Sequence, residues 1–131
     1  MPRTQRINKA DLEQIMDGGV NEKHSVMIKF YSQTCYLCHA LAPVYMRVSD
    51  QHEDVIFYVY NMAESDAGDI IEAKYGLDGV PSLCFVRTDG EKTKIKLMPN
   101  PETPDDKTWY YEQDIHEFIE RYKYTETERS R

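Results

Sequence analysis

Positive charge, long apolar runs and cysteine are all in short supply in this chain of 131 residues. Lys and Arg number 16 against 23 Asp and Glu, for a formal net charge of -7. A phosphate-binding face generally needs concentrated basic charge, so no nucleic-acid partner is expected. The one basic run, Lys92-Thr93-Lys94-Ile95-Lys96, alternates with other residues and reads as the outer side of a strand. No apolar stretch approaches the ~20 residues that a membrane span requires, so no membrane partner is expected. The opening M-P-R-T-Q-R-I-N-K-A-D holds no apolar segment of signal-peptide length, and the expectation is a chain that stays where it is made. Three cysteines are an odd and low count, unlike a disulfide framework, which points to a reducing cytoplasm.

What is present suits a folded protein. Apolar residues make up 40% of the chain and charged residues 30%, too apolar for a disordered segment. The length fits one domain over residues 1–131, with a core at about 8–124 and a frayed tail at 125–131. A monomer is expected. Asn8 to Asp17 puts Leu12, Ile15 and Met16 on one helical face after an Asn8 cap, and Gly18-Gly19 ends the run. Ser25 to Tyr31 and Asp54 to Asn61 read as buried strands. Between them, Leu37, Leu41, Val44, Tyr45 and Val48 recur at helical spacing from Cys35 to about His52, with Pro43 inside the run where it should kink the helix. Ser65 to Tyr75 reads as a third helix ending at Gly76.

Ser82 to Arg87 and Glu91 to Leu97 flank T-D-G-E as a hairpin. Met98 to Lys107 carries three prolines and reads as a loop. A last helix starts near Trp109 or Asp114, runs to about Tyr124 and buries Ile115, Phe118, Ile119 and Tyr122. The order α-β-α-β-α-β-β-α implies an α/β fold: a mixed central sheet, a parallel βαβ unit joined to an antiparallel hairpin, with helices on both faces.

Within K-F-Y-S-Q-T-C-Y-L-C-H-A-L-A-P, from Lys29 to Pro43, Cys35 and Cys38 form a C-x-x-C. By itself that spacing fits a redox pair, two metal ligands, a haem attachment site or two buried thiols. Cys35 falls where a buried strand ends and a helix begins. There, free backbone N–H groups and the helix dipole stabilise a thiolate. Cys38 follows one turn later on the same face, within reach of disulfide geometry.

The chain resembles the thioredoxin family over nearly its whole length. The resemblance rests on V-M-I-K-F-Y-S-Q-T-C-Y-L-C-H-A-L-A-P, V-I-F-Y-V-Y-N and Y-G-L-D-G-V-P-S-L-C-F-V. In that family the first strand runs into C-x-x-C, a proline follows the second cysteine by five residues, and a cis proline precedes the fourth strand; Pro43 and Pro81 stand in those places. The resemblance implies the thioredoxin fold, with Cys35 as attacking thiol, Cys38 as resolving thiol, and Val80-Pro81 packed against the disulfide. It also implies that backbone at Val80 pairs with a substrate strand.

This chain departs from the family pattern in three places. Thr34-Cys35-Tyr36-Leu37-Cys38 lacks the family's W-C-G-P-C, and Tyr36 and Leu37 offer a more apolar contact surface, while the intervening residues tune the redox potential. Lys29 stands six residues before Cys35, where many thioredoxins bury an aspartate. Three readings stay open for it: a buried neutral amine that accepts a proton, a buried charge that favours thiolate on Cys38, or a stem that carries its charge to solvent. The segment 98–107 lengthens the connection to the last helix.

Rival readings of the motif are weaker. Cys35 to His39 spells the haem motif C-x-x-C-H, yet such attachment ordinarily occurs outside the cytoplasm, and His39 reads more simply as a polar first-turn residue. A structural zinc site needs about four ligands, and no second pair stands at suitable spacing. Cys84 reads as a buried core thiol. His24, His52 and His116 are expected in loop or helix-surface positions with no catalytic arrangement.

The expectation is therefore a cytoplasmic thiol-disulfide oxidoreductase. It would act on protein disulfides and be recharged by an external reductant such as a thioredoxin reductase or glutathione system, with no bound cofactor or metal beyond a redox-active Cys35–Cys38 disulfide. The alternative is a binding module that docks partners on the same scaffold without turnover.

Overall fold

The computed structural model describes residues 4–17, 23–32, 36–62, 76, 81–89, 93–99 and 110–122. Among these, five strands and three helices follow in the order β1 (Thr4–Arg6), α1 (Lys9–Met16), β2 (Lys23–Tyr31), α2 (Tyr36–Gln51), β3 (Ile56–Asn61), β4 (Ser82–Asp89), β5 (Thr93–Leu97) and α3 (Glu112–Tyr122).

The helix cap works as the sequence implies. Asn8 Oδ1 accepts from the Asp11 backbone N–H at 2.8 Å, and Asp11 Oδ2 accepts from the Asn8 N–H at 3.5 Å, a reciprocal capping box. A helix of 8 residues is marginal alone, and this one is held by burying Leu12, Ile15 and Met16 against the sheet.

The sheet order is β1-β3-β2-β4-β5. β1 and β2 run parallel to β3, whereas β4 runs antiparallel to both β2 and β5. β2 is thus central, with β3 on one side and β4 on the other, and Val26 through Phe30 are all buried. That position explains the near-continuous apolar run, since a strand covered on both faces has little use for alternation. Val26, Ile28 and Phe30 face α1 with Cys84 and Val86. On the other face Met27, Phe57, Leu83 and Phe85 pack against Leu41, Tyr45 and Val48 of α2 and Ile115, Phe118 and Ile119 of α3. Helices therefore cover both faces, and the expected parallel unit and antiparallel hairpin are present.

Strand β1 differs from the sequence reading, and some expected elements lie outside the described residues. β1 was not expected; its Thr-Gln-Arg has no apolar signal, because what it contributes is backbone pairing, Thr4 with Phe57 and Arg6 with Val59. The helix expected over Ser65 to Tyr75 lies outside the described residues, as do the hairpin turn and most of the 98–107 loop. Gly76 has φ 71°, in the left-handed region favoured just past a helix end. On β5, an edge strand, Lys94 and Lys96 are exposed as expected of the basic run, and edge lysines discourage pairing with a further strand.

Candidate active site at the start of helix α2

Helix α2 buries one stripe. Cys38, Leu41, Tyr45 and Val48 recur at helical spacing and are each at most 3% exposed, while His39, Ala42, Pro43, Met46 and Arg47 face outward. Pro43 lies inside the helix, where it cannot donate to the His39 carbonyl; both residues are on the exposed side, where water reaches the backbone. Cys38, in the first turn, is disulfide-bonded. Cys84 is a free thiol in β4, fully buried, and burial pushes it up to about 12 from 9.0.

Of the other residues expected at the site, Cys35 and Val80 lie outside the described residues. Tyr36 and Leu37 open α2, and their side chains are likewise outside the described set. Pro81 is buried and leads directly into β4, whose first residue Ser82 pairs with Phe30 near the end of β2. Since α2 begins soon after β2 ends, this register brings Pro81 to the same end of the sheet as the start of α2.

Lys29 corrects the sequence reading in which its charge reaches solvent. It lies two residues from the end of β2 between Val59 and Leu83, only 6% exposed, on the face that α2 covers. Its Nζ lies 5.2 Å from the Tyr45 ring centroid and 5.5 Å from that of Tyr31, within cation–π range. Burial lowers its pKa from 10.5 to about 8. A stem can carry its charge to water only from an uncovered strand face, and this face is roofed by Tyr45. Tyr45 is itself fixed, donating from its hydroxyl to the Tyr58 carbonyl at 2.9 Å and meeting Phe57 edge-on with centroids 5.4 Å apart. The sequence reading placed Tyr45 in the core; its part in roofing Lys29 was signalled only by its spacing of two turns from Cys38.

The histidine expectation also needs correction. His24 lies in strand β2, not a loop, and is half-buried. His52 follows α2 as a loop residue but is 5% exposed, against His116 of α3. The sequence gives no sign of this pairing across 64 positions. His39 is exposed in the first turn of α2, as expected.

The Thioredoxin family model matches residues 4–103. The chain belongs to the thioredoxin family. This thioredoxin-family chain is 29% identical over 78 residues to Protein disulfide-isomerase A4 of Rattus norvegicus, covering 60% of this chain but 12% of that protein. It therefore spans only a small part of that relative's length. It is also 27% identical over 97 residues to a Thioredoxin of Mycoplasmoides gallisepticum, covering 72% of this chain and 89% of that one. Among solved structures it is similar to thioredoxin f from spinach chloroplast, with TM-score 0.66, 17% identity and coverage of 94% and 96% of the two chains. The N21Q mutant thioredoxin from Halobacterium salinarum gives TM-score 0.63 and 21% identity, covering 95% of each chain. At these identities the structural likeness speaks for the fold alone, and that fold is the thioredoxin fold.

Proposed function

We propose that this chain is a thiol-disulfide oxidoreductase, exchanging dithiol for disulfide with protein substrates through Cys35 and Cys38. The observation that carries the reading is Cys38, disulfide-bonded and 3% exposed in the first turn of a helix that follows a central strand. The general class is supported by family membership and by relatives named thioredoxin and protein disulfide-isomerase. Three cysteines, of which Cys84 is free, leave Cys35 as the partner of Cys38 in this proposal.

The two thiols then divide the work by position. A thiol just before α2 meets the positive end of the helix dipole and is held as a thiolate. The Cys35 thiolate attacks one sulfur of a substrate disulfide, and the other substrate sulfur leaves as a thiolate. Buried Cys38 is out of reach of a protein substrate but adjacent to Cys35. Its thiolate attacks the Cys35 sulfur of the mixed disulfide and releases the second substrate thiolate. Two electrons pass to the substrate, and the chain is left as the Cys35–Cys38 disulfide until two electrons from an external reductant, a thioredoxin reductase or glutathione system, restore the dithiol. No cofactor enters the cycle.

In this scheme Tyr36 and Leu37 form the contact surface beside the disulfide, Val80 and Pro81 hold the substrate strand, and Pro43 shapes α2. Lys29 acts from below as a positioning charge. The proposed setting is the cytoplasm, with the chain a monomer of one domain. Insulin reduction driven by dithiothreitol tests the reading: the chain should accelerate it, and Cys35→Ser should abolish the acceleration. An unchanged rate with wild type would contradict turnover and leave a binding module.

A further inference from the structure

Among the described residues strand β5 ends the sheet, and its outer edge carries no further strand. The Met98 N–H donates to the Leu83 carbonyl at 2.9 Å, which fixes the alternation along the β4–β5 ladder. In an antiparallel pair, residues opposite each other exchange hydrogen bonds at every second position. Lys96 and Lys94, opposite Phe85 and Arg87, therefore turn their backbone polar groups toward β4, in step with Met98. Ile95 and Leu97, opposite Val86 and Cys84, turn theirs to the open edge.

The side chains sort in the same way. Ile95 and Leu97 lie on the α1 side of the sheet with Val86 and Cys84, yet each is 37% exposed, whereas Val86 and Cys84 are fully buried. Met46 on α2 is the only other large apolar side chain so exposed among the described residues. Lys94 and Lys96 lie on the opposite side, with Arg87 and Phe85, and both are exposed. The Lys96 Nζ is 5.8 Å from the ring centroid of Tyr122, the last residue of α3, which holds that ammonium beside the edge. Among the described residues neither lysine is paired with a carboxylate.

A strand laid along this edge meets backbone groups and apolar side chains at Ile95 and Leu97, and ammonium groups at Lys94 and Lys96. Its own residues alternate faces, so it matches the edge when apolar and acidic residues alternate along it. A second copy of β5 fits badly. Pairing two such strands about Ile95 sets Lys94 opposite Lys96, and pairing them about Lys96 sets that residue against itself; the net charge of -7 on each chain adds to the repulsion. The lysines that discourage a basic or uncharged strand are thus the feature that admits an acidic one.

We infer that the outer edge of β5 docks an extended segment of another protein in which acidic and apolar residues alternate, added to the sheet as a further strand. The site uses none of the residues of the redox proposal, and neither reading stands on the other.

The test is an NMR titration of the full nitrogen-15-labelled chain with a peptide alternating Glu and Val. A peptide of the same composition with its glutamates grouped at one end and a peptide alternating Lys and Val serve as controls. The alternating Glu-Val peptide should bind about tenfold or more tightly than either control. It should also slow hydrogen exchange at the Ile95 and Leu97 amides, which face the open edge. In the double variant Lys94→Glu, Lys96→Glu, whose altered side chains are exposed, the preference should reverse toward the Lys-Val peptide. Equal binding of the three peptides, a preference that the charge reversal leaves unmoved, or shifts confined to residues away from β5 would overturn the inference. So would amides of Ile95 and Leu97 already protected in the free chain, whether by its own residues beyond Tyr122 or, at rising concentration, by a second copy.

Discussion

The ammonium of Lys29 sits 5.2 Å from the ring centroid of Tyr45, a cation beneath the helix that carries Cys38. Burial makes this arrangement costly. A pKa lowered from 10.5 to about 8 corresponds to about 3 kcal/mol favouring the unfolded chain while the amine is charged. Between about pH 8 and 10.5 the unfolded chain binds more protons at this site than the folded one. Stability therefore rises with pH across that window, and the penalty is fully present below it. Lys29→Met, which keeps much of the stem, should be more stable than wild type at pH 7 by up to about 3 kcal/mol, with the difference vanishing above about pH 10.5. Urea melts of both proteins at several pH values measure it, and a variant less stable at pH 7 would contradict the buried charge.

The same cation should tune the redox couple. Tyr45 and Cys38 are seven residues apart on one buried stripe, roughly 10 Å along the helix axis, so the charge acts across a largely dry interior. A cation there favours thiolates and makes the dithiol form easier to hold. Lys29→Met should therefore have a more reducing potential, by about 30 mV for each tenfold change in the equilibrium. A glutathione titration at matched pH reads the shift, and an unmoved potential would mean that the charge does not reach the pair.

Tyr45 should matter through its hydroxyl as well as its ring. Tyr45→Phe leaves the edge-on contact with Phe57 but removes the donor to the Tyr58 carbonyl. The expected loss is about 1–2 kcal/mol, read as a lower urea midpoint at unchanged slope. An unchanged midpoint would show that this bond adds nothing net.

Cys84 should be chemically silent in the folded chain. With its pKa pushed up to about 12 and no exposure, it has neither thiolate nor access at pH 8. The fully reduced native protein should release two thiol equivalents from an aromatic disulfide reagent, one as Cys35 is captured and one as Cys38 closes the disulfide, with Cys84 reacting only after denaturation. Prompt reaction of Cys84 in the native state would contradict its place in the core.

Much of this architecture could be read from local pattern. Leu12, Ile15 and Met16 after Asn8 mark a capped helix, and the run through β2 marks a strand covered on both sides. What escaped depends on residues far apart in sequence. β1 is held by backbone pairing to Phe57, Tyr58 and Val59, which polar side chains at Thr4 to Arg6 do not advertise. A lysine among apolar neighbours looks the same whether it reaches water or not; only the roof supplied by Tyr45 decides it. His52 and His116 each look like solvent-side residues until the end of α2 meets α3.

The central claim is that Cys35 attacks and Cys38 resolves, and Cys38→Ser tests it most directly. With resolution removed, the first step should still occur, so the variant should accumulate mixed disulfides with protein substrates, and peptide mapping by mass spectrometry should place every adduct on Cys35. Cys35→Ser should trap nothing under the same conditions. Adducts on Cys84 in the first variant, or equal trapping by the two variants, would contradict the account.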